Sequence, residues 1–390
     1  MLFVTPEQRR RVIARRHLLN GTGTSPDDVV STLIGLHATD PATPFLSVFA
    51  RSRTSTIDDI ADAMYSRRSM VRWMAMRRTL FVFPTSDIAD IQSAVSTPLA
   101  ATLRRQLLSR IRRNGSEPAI EGDPAVWLDD VEKQIRAALV DAGSATGAQL
   151  SARVPSLTTV ILPGSPSEVR QKVTSPLLTV MSTDGLLVRG KPTGAWTSRG
   201  HRWEPLTAWW PHGLEVISET DAQSMLARRY LEQYGPATAD DLQWWTGWNK
   251  TTTARALSGL PTIEVNLDGR VGLILAESDL DIHDSPPHAA LLPSLDSTPM
   301  GWKERDWLLG IDRRDIFDTA GNIGPTLWWD GEIIGSWAVA ASGEIRTVVR
   351  ADRGADATAD IHAAAGELEQ RLNGTVVTPS IRTPLEKSLH

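Results

Sequence analysis

Residues 25–51 read SPDDVVSTLIGLHATDPATPFLSVFAR. Ser25 stands as a helix N-cap, Pro26 fits the first helical position, and Asp27 and Asp28 put negative charge where the helix dipole is positive. Val29, Val30, Leu33, Ile34 and Leu36 recur near the helical period, and Asp40-Pro41 disfavours continuation because the residue before proline is pushed out of the α region. The pattern predicts a helix from Pro26 to near Ala38, with His37 and Thr39 at its carboxyl end beside a loop. Such a position presents side chains to a ligand and favours a protonated imidazole.

Working outward, residues 5–20 read as a capped helix stopped by Gly21, and residues 57–76 continue with helical periodicity. TLFVFP, residues 79–84, is short and β-like, and 88–113 is helical again. Three helices and then a strand is the order of a winged helix-turn-helix. A second round follows, with a helix from Val126 to Val140 stopped by Gly143, a short helix in ATGAQLSARV, a third over 169–181, and a hairpin in LLVRGKPTGAW with KPTG as its wing. A third round has helices over 222–234, in ATADDLQWWTG and in TTTARALSGL, then a hairpin around Asp268-Gly269. Gly143-Ser144-Ala145-Thr146 with Leu150, and Gly235-Pro236-Ala237-Thr238 with Leu242, share the spacing G-x-A-T-x-x-x-L. In each the glycine ends one helix, the threonine caps the next and the leucine faces inward, so duplication is the better explanation.

Beyond about residue 265 short apolar runs alternate with turn signals, among them Asp330-Gly331, and one helix follows over 357–372. The chain is therefore expected to be α+β: three tandem winged helix-turn-helix modules (1–120, 121–215 and 216–270) and a small C-terminal β-barrel with its helix (271–390). No cysteine is present, which excludes disulfides, thiolate metal sites and cysteine nucleophiles. No run approaches the length of a membrane helix and the amino terminus lacks a signal-peptide core, so a cytoplasmic protein is expected. The net charge of −5 conceals an asymmetry: residues 1–113 hold 17 arginines, no lysine and 9 acids, a balance of +8, which leaves −13 for the rest. The arginines read either as a phosphate-binding surface or as a solvated helix face.

GLHATDPATPFLSVFAR, VRWMAMRRTLFVFP, RRYLEQYGPATADDLQWWTG, LLPSLDSTPMGWKERDWLL and IRTPLEKSL together resemble the AlkZ/YcaQ-type winged-helix DNA glycosylases over most of the chain. The resemblance implies tandem winged helices and a β-barrel around a concave DNA-binding channel, no cofactor, and double-stranded, alkylated DNA as partner; a nucleoid-associated monomer is expected with it. It also implies monofunctional hydrolysis of the N-glycosidic bond of N7-alkylated or bulky purine adducts. The family's catalytic triplet is glutamine, an aliphatic residue, then glutamine or aspartate; here those positions are His37-Ala38-Thr39, with Asp40 next to them. This alteration keeps open a non-catalytic reading, a regulator or adduct sensor that binds DNA.

The expected catalytic residues are His37, Thr39 and Asp40. The expected DNA contacts are Arg51, Arg67, Arg68, Arg72, Arg77, Arg78, Arg199, Arg202, Trp203, Trp302 and Lys303, with Trp203 and Trp302 taken as exposed because charge flanks them in loop-like stretches. Asp296 and the 303–306 run KERD match a motif that the resemblance places along the channel. No metal is expected: Asp281, His283, Asp284 and His288 are close in sequence, but their spacing fits no standard site.

Overall fold

A computed structural model of the chain describes residues 1–280 and 286–390. Packing divides it into two units: Met1–Met70, Phe81–Thr85 and Gln223–His390 in one, Val71–Leu80 and Ser86–Ala222 in the other. Among the described residues no helix is long and apolar enough to cross a membrane.

In the first unit Thr5 and Gln8 form a reciprocal capping box on the Pro6–Arg16 helix. Ser25 also caps as expected, its hydroxyl accepting from the Asp28 N–H at 3.1 Å. The helix it starts is shorter than its pattern suggests, covering Pro26–Thr32 only. Ile34 and Gly35 then turn the chain at φ +53° and +101°, and the Gly35 N–H closes on the Val30 carbonyl at 3.0 Å. Leu36–His37 is a short strand, with Leu36 opposite Val82 and His37 opposite Phe81. The apolar spacing of Leu33, Ile34 and Leu36 thus serves burial of a turn and a strand. His37 lies on that strand, so the helix-end argument for its protonation does not apply.

Thr43–Phe49 forms a further helix in which every residue is buried. Uniform burial removes the polar face that periodicity needs, which hid this helix in the sequence. The helix expected over 57–76 stops at Tyr65; Arg68 adopts φ +56° and Met70–Met74 is a strand. MVRWM alternates as a strand does, Met70 and Arg72 on one side and Val71 and Trp73 on the other.

The Glu219–Tyr234, Ala239–Thr246 and Lys250–Ser258 helices lead into the Thr262–Leu267 and Arg270–Leu275 hairpin. Asp268 and Gly269 both take positive φ at its tip, the conformation expected of an Asp-Gly hairpin turn. Farther on, Ala289–Leu292, Thr326–Trp329, Glu332–Val339 and Ile345–Val349 pair in that order as an antiparallel sheet. The Ala355–Leu372 helix packs against its two outer strands. This corrects the expected barrel: the sheet is open, and four strands are well short of the roughly eight whose closed interior side chains can fill.

In the second unit, Ile88–Ile91, a π-helical turn at Gln92–Ser96 and Thr97–Asn114 make one nearly continuous helix. Gln92 on the π turn accepts from the Trp73 indole at 3.0 Å and donates to Thr97 and to the Thr183 carbonyl. Pro124–Ala142, Gly147–Arg153 and Thr174–Thr183 follow, then the Leu187–Pro192 and His201–Pro205 hairpin. The helix read from residue 169 begins at Thr174 because Gln171 and Lys172 pair with Ile161 and Val160. The hairpin loop spans 193–200, longer than KPTG.

The repeated spacing has a structural counterpart in each unit. Thr146 and Thr238 both cap with a capping box, closed by Gln149 and Asp241, while Leu150 and Leu242 are buried. Ala145 forms an isolated antiparallel bridge to Trp203 and Ala237 one to Leu273, each on the second strand of the following hairpin. One residue decides how the His37 segment leaves its helix. A Cβ on Gly35 would lie 2.7 Å from the Phe83 ring, at a φ that L side chains avoid. Gly35→Ala is expected to lower unfolding stability by about 1–3 kcal/mol in urea titration; an unchanged midpoint contradicts this account of the turn.

Candidate functional site

The site is built on a buried ion pair in the first unit. Arg51 and Asp296 are both fully buried, and all five guanidinium N–H groups have an acceptor. Nε donates to the His17 carbonyl at 2.9 Å. Nη1 donates to the Ser47 carbonyl at 2.9 Å and to Asp296 Oδ2 at 2.8 Å. Nη2 reaches Asp296 Oδ1 at 2.6 Å and Thr298 Oγ1 at 2.8 Å. Asp296 also accepts from the Ser47 hydroxyl and the Thr298 N–H. Burial pushes the Asp296 carboxyl up, but the Arg51 charge and these hydrogen bonds outweigh it and hold the group below its ordinary value.

His17 extends the network. Its Nδ1 meets the Thr298 hydroxyl at 2.8 Å and its Nε2 the Gln233 carbonyl at 3.2 Å. A neutral imidazole protonated on Nε2 satisfies both contacts. Burial first, and then the Arg51 charge, push its pKa down to about 3.

The 294–297 segment beside this pair grips the residues flanking His37. Ser297 donates to the Gly35 carbonyl at 3.1 Å, and Thr43 donates to the Ser294 carbonyl at 2.9 Å. Tyr234 donates to the Leu33 carbonyl at 2.9 Å. Asp40 is fixed from the carboxyl-terminal side: its Oδ2 accepts from the Ser380 N–H at 2.7 Å and hydroxyl at 3.0 Å, and its Oδ1 from the Ala42 N–H at 3.3 Å. A cavity of about 20 Å³, room for one water molecule, lies between Asp40, Thr43, Ser294 and Trp337.

Within that frame the expected catalytic residues differ in access. His37 is 3% exposed, with its ring 4.9 Å from that of Phe81, and Asp40 is buried. Thr39 alone of the three is exposed. The segment thus offers solvent a hydroxyl, while the neighbouring imidazole and hydrogen-bonded carboxyl group are buried.

The expected DNA contacts also sort by access. Arg51 lies in the core with every donor engaged, so it offers nothing to a phosphate, and the Asp296 it holds lines no surface. Trp302 is fully buried, its indole donating to the Tyr234 carbonyl at 3.0 Å, while Lys303 and Glu304 beside it are exposed; Trp203 is 5% exposed between the half-buried Arg202 and Glu204. Neither tryptophan is the exposed stacking surface its neighbours suggested. Arg305 of the KERD run is also buried, stacked on Phe317, whereas Lys303 is exposed near Asp240.

Arg67 is exposed but paired with Asp62 and Asp27, and Arg202 is tied to Ser144. Arg68 is half-buried, while Arg72 is 6% exposed on its strand. Arg77 and Arg78 occupy successive left-handed positions at a tight turn, a conformation costing roughly 1–2 kcal/mol per non-glycine residue, with Arg78 exposed. Arg199 is exposed in the 193–200 loop. Much of the remaining basic charge is met locally: Arg104 by Asp129 and Glu132, Arg112 by Asp123, and Arg10 by Glu7 and Glu332. Among the described residues no three metal-ligating side chains converge; Asp281, His283 and Asp284 lie outside the described residues.

The fold is that of a DNA glycosylase. It is similar to Streptomyces sahachiroi DNA glycosylase AlkZ, with a TM-score of 0.73 at 20% identity, over 97% of this chain and 99% of that one. The family model described as DNA glycosylase AlkZ-like matches residues 30–371, and the chain belongs to that family. Comparison with the curated proteins gives no sequence match.

The buried network gives acid a defined effect. The His17 pKa falls from its ordinary 6.5 to about 3 on folding, so below 6.5 the unfolded chain binds a proton that the folded one refuses, and stability declines with pH. Asp296, also depressed, adds a further loss once pH drops through the ordinary carboxylate range. His17→Asn is expected to flatten the limb between pH 6 and 4, and Asp296→Asn to cost about 3–5 kcal/mol at neutral pH by leaving Arg51 buried without its counter-charge. Urea unfolding across pH checks both; a neutral Asp296→Asn variant contradicts the anchor.

Proposed function

We propose that this protein is a monofunctional DNA glycosylase that hydrolyses the N-glycosidic bond of N7-alkylated or bulky purine adducts in double-stranded DNA. In this reading three helix–helix–helix–hairpin modules act as winged helices around a DNA channel. The observation that carries it is the family membership together with the rigidly held 37–40 segment, which offers Thr39 to solvent at the family's catalytic positions. An N7-alkylated purine is cationic and already a good leaving group. The enzyme's remaining work is to stabilise an oxocarbenium-like sugar and to orient water. Thr39 holds the water through its hydroxyl, Asp40 supplies negative potential close behind it, and His37, if neutral, fills the place of an amide. No lysine occurs in the first 113 residues to form a Schiff base near this segment, in keeping with hydrolysis without lyase chemistry. Arg78, Arg199, Lys303 and, once its carboxylate partners yield, Arg67 contact phosphates.

One observation favours the alternative, a DNA-binding protein without catalysis. The only exposed polar side chain among the expected catalytic residues is the uncharged Thr39, and Ser380 already occupies Asp40 Oδ2. Base release from duplexes carrying one N7-methylguanine or one bulky N7-guanine adduct separates the two. Release is expected, reduced about 10²-fold or more in Thr39→Ala and Asp40→Asn, on the scale of losing one transition-state contact. Tight binding to both duplexes without release supports the sensor reading instead.

A further inference from the structure

Arg72 and Arg189 are direct cross-strand partners on Met70–Met74 and Leu187–Pro192, so their side chains leave the same face of the sheet. Two like charges placed opposite each other destabilise a sheet unless something between them carries the opposite sign. Among the described residues neither arginine makes an ion pair. Arg72 is 6% exposed, and its Nε and Nη2 are buried without a hydrogen-bond acceptor. Arg189 Nε is likewise buried without an acceptor.

The rest of the cluster fixes orientation and leaves the charge uncompensated. Trp203 lies under the Arg189 guanidinium at 4.4 Å, and His201 accepts from Arg189 Nη1 through Nε2 at 2.8 Å. His201 Nδ1 then donates to the Arg199 carbonyl at 3.3 Å, which specifies a neutral imidazole. Burial and the Arg189 charge push the His201 pKa down to about 4; burial and the Arg72 charge pull Arg189 down to about 10. The charged side chain acting on Arg189 is Arg72, those acting on His201 are Arg189 and Arg72, and among the described residues neither arginine has a carboxylate partner. Three buried N–H donors without acceptors and two positive charges, carried on one face of the sheet, suit the oxygens of a tetrahedral anion.

We propose that Arg72 and Arg189, oriented by His201 and Trp203, form a built anion site in the second unit that takes one phosphodiester of the DNA backbone. The choice of a phosphodiester rests on the DNA-binding reading above; the anion site itself stands on the geometry of the two arginines.

Two measurements test it. In the first, thermal unfolding of the full chain is followed while inorganic phosphate replaces chloride at constant ionic strength. A saturable rise in Tm is expected, absent in Arg72→Gln and in Arg189→Gln, with Arg72→Gln more stable than the parent in phosphate-free buffer because the like-charge pair is gone. No phosphate-dependent rise in the parent chain overturns the site, whatever the variants do. A variant that only loses stability, with the phosphate response intact, makes the arginine structural and also overturns it.

In the second, binding to an unmodified duplex is measured from 50 to 300 mM salt. Arg72→Gln is expected to weaken Kd about 10- to 100-fold, the scale of one charge-assisted hydrogen-bond set, and to make the log–log salt slope shallower by about 1. Phosphate stabilisation with an unchanged salt slope overturns the phosphodiester and leaves a site for a free anion. Phosphate stabilisation in a chain that binds no duplex overturns the phosphodiester too, and shows that the DNA-binding reading is what failed.

Discussion

Five N–H groups of one guanidinium, that of Arg51, each meet an acceptor inside the first unit, and the placement of the His37–Asp40 segment hangs on that arrangement. A buried arginine is tolerable only with a counter-charge and with every donor satisfied. Asp296 supplies the charge, while Ser47, Thr298 and the His17 carbonyl complete the geometry. The constraint runs in both directions along the chain. It ties the Thr43–Phe49 helix to the 294–298 segment, and that segment's serines take the carbonyl of Gly35 and the hydroxyl of Thr43 on either side of His37 and Thr39. The candidate site is therefore positioned by residues far from it in sequence.

The same material is used twice in the scaffold. A glycine ends one helix, an alanine bridges to the hairpin, a threonine caps the next helix and a leucine enters the core, once around residue 145 and once around residue 237. The hairpins diverge in what they carry. The Arg270–Leu275 hairpin turns tightly on Asp268-Gly269, whereas the His201–Pro205 hairpin has the 193–200 loop and the Arg189–His201–Trp203 cluster.

Much of this was legible in the sequence because it follows from local chemistry. Caps at Thr5, Ser25, Thr146 and Thr238, stops at Gly143 and Gly235, and the Asp-Gly turns all stand where their residue types place them. What escaped reading depended on burial and on distance along the chain. Thr43–Phe49 is apolar on every side and shows no period. Leu33, Ile34 and Leu36 imitate a helical stripe while packing a turn and a strand. Arg51 and Asp296 are 245 positions apart. Each alone reads as a surface charge, and only the fold makes them a pair. Trp302 and Trp203 misled for the related reason that charge next to a ring in sequence does not expose the ring: Lys303 and Glu304 reach solvent beside a buried Trp302, and Arg202 is held by Ser144 beside a buried Trp203. The arginines of the first third carried a true excess of charge, but carboxylates on following elements meet a large share of it, a pairing that composition does not reveal.

In the proposed function the exposed Thr39 face, held by the Arg51–Asp296 anchor, receives the sugar of the damaged nucleotide. A crystal structure of the protein with a duplex carrying a cationic azasugar nucleotide, a mimic of the oxocarbenium ion, tests it most directly. The azasugar is expected to lie against Thr39, with a water molecule between the Thr39 hydroxyl and the sugar carbon and Asp40 behind it. An azasugar bound elsewhere on the protein, with Thr39 facing bulk solvent, would contradict it.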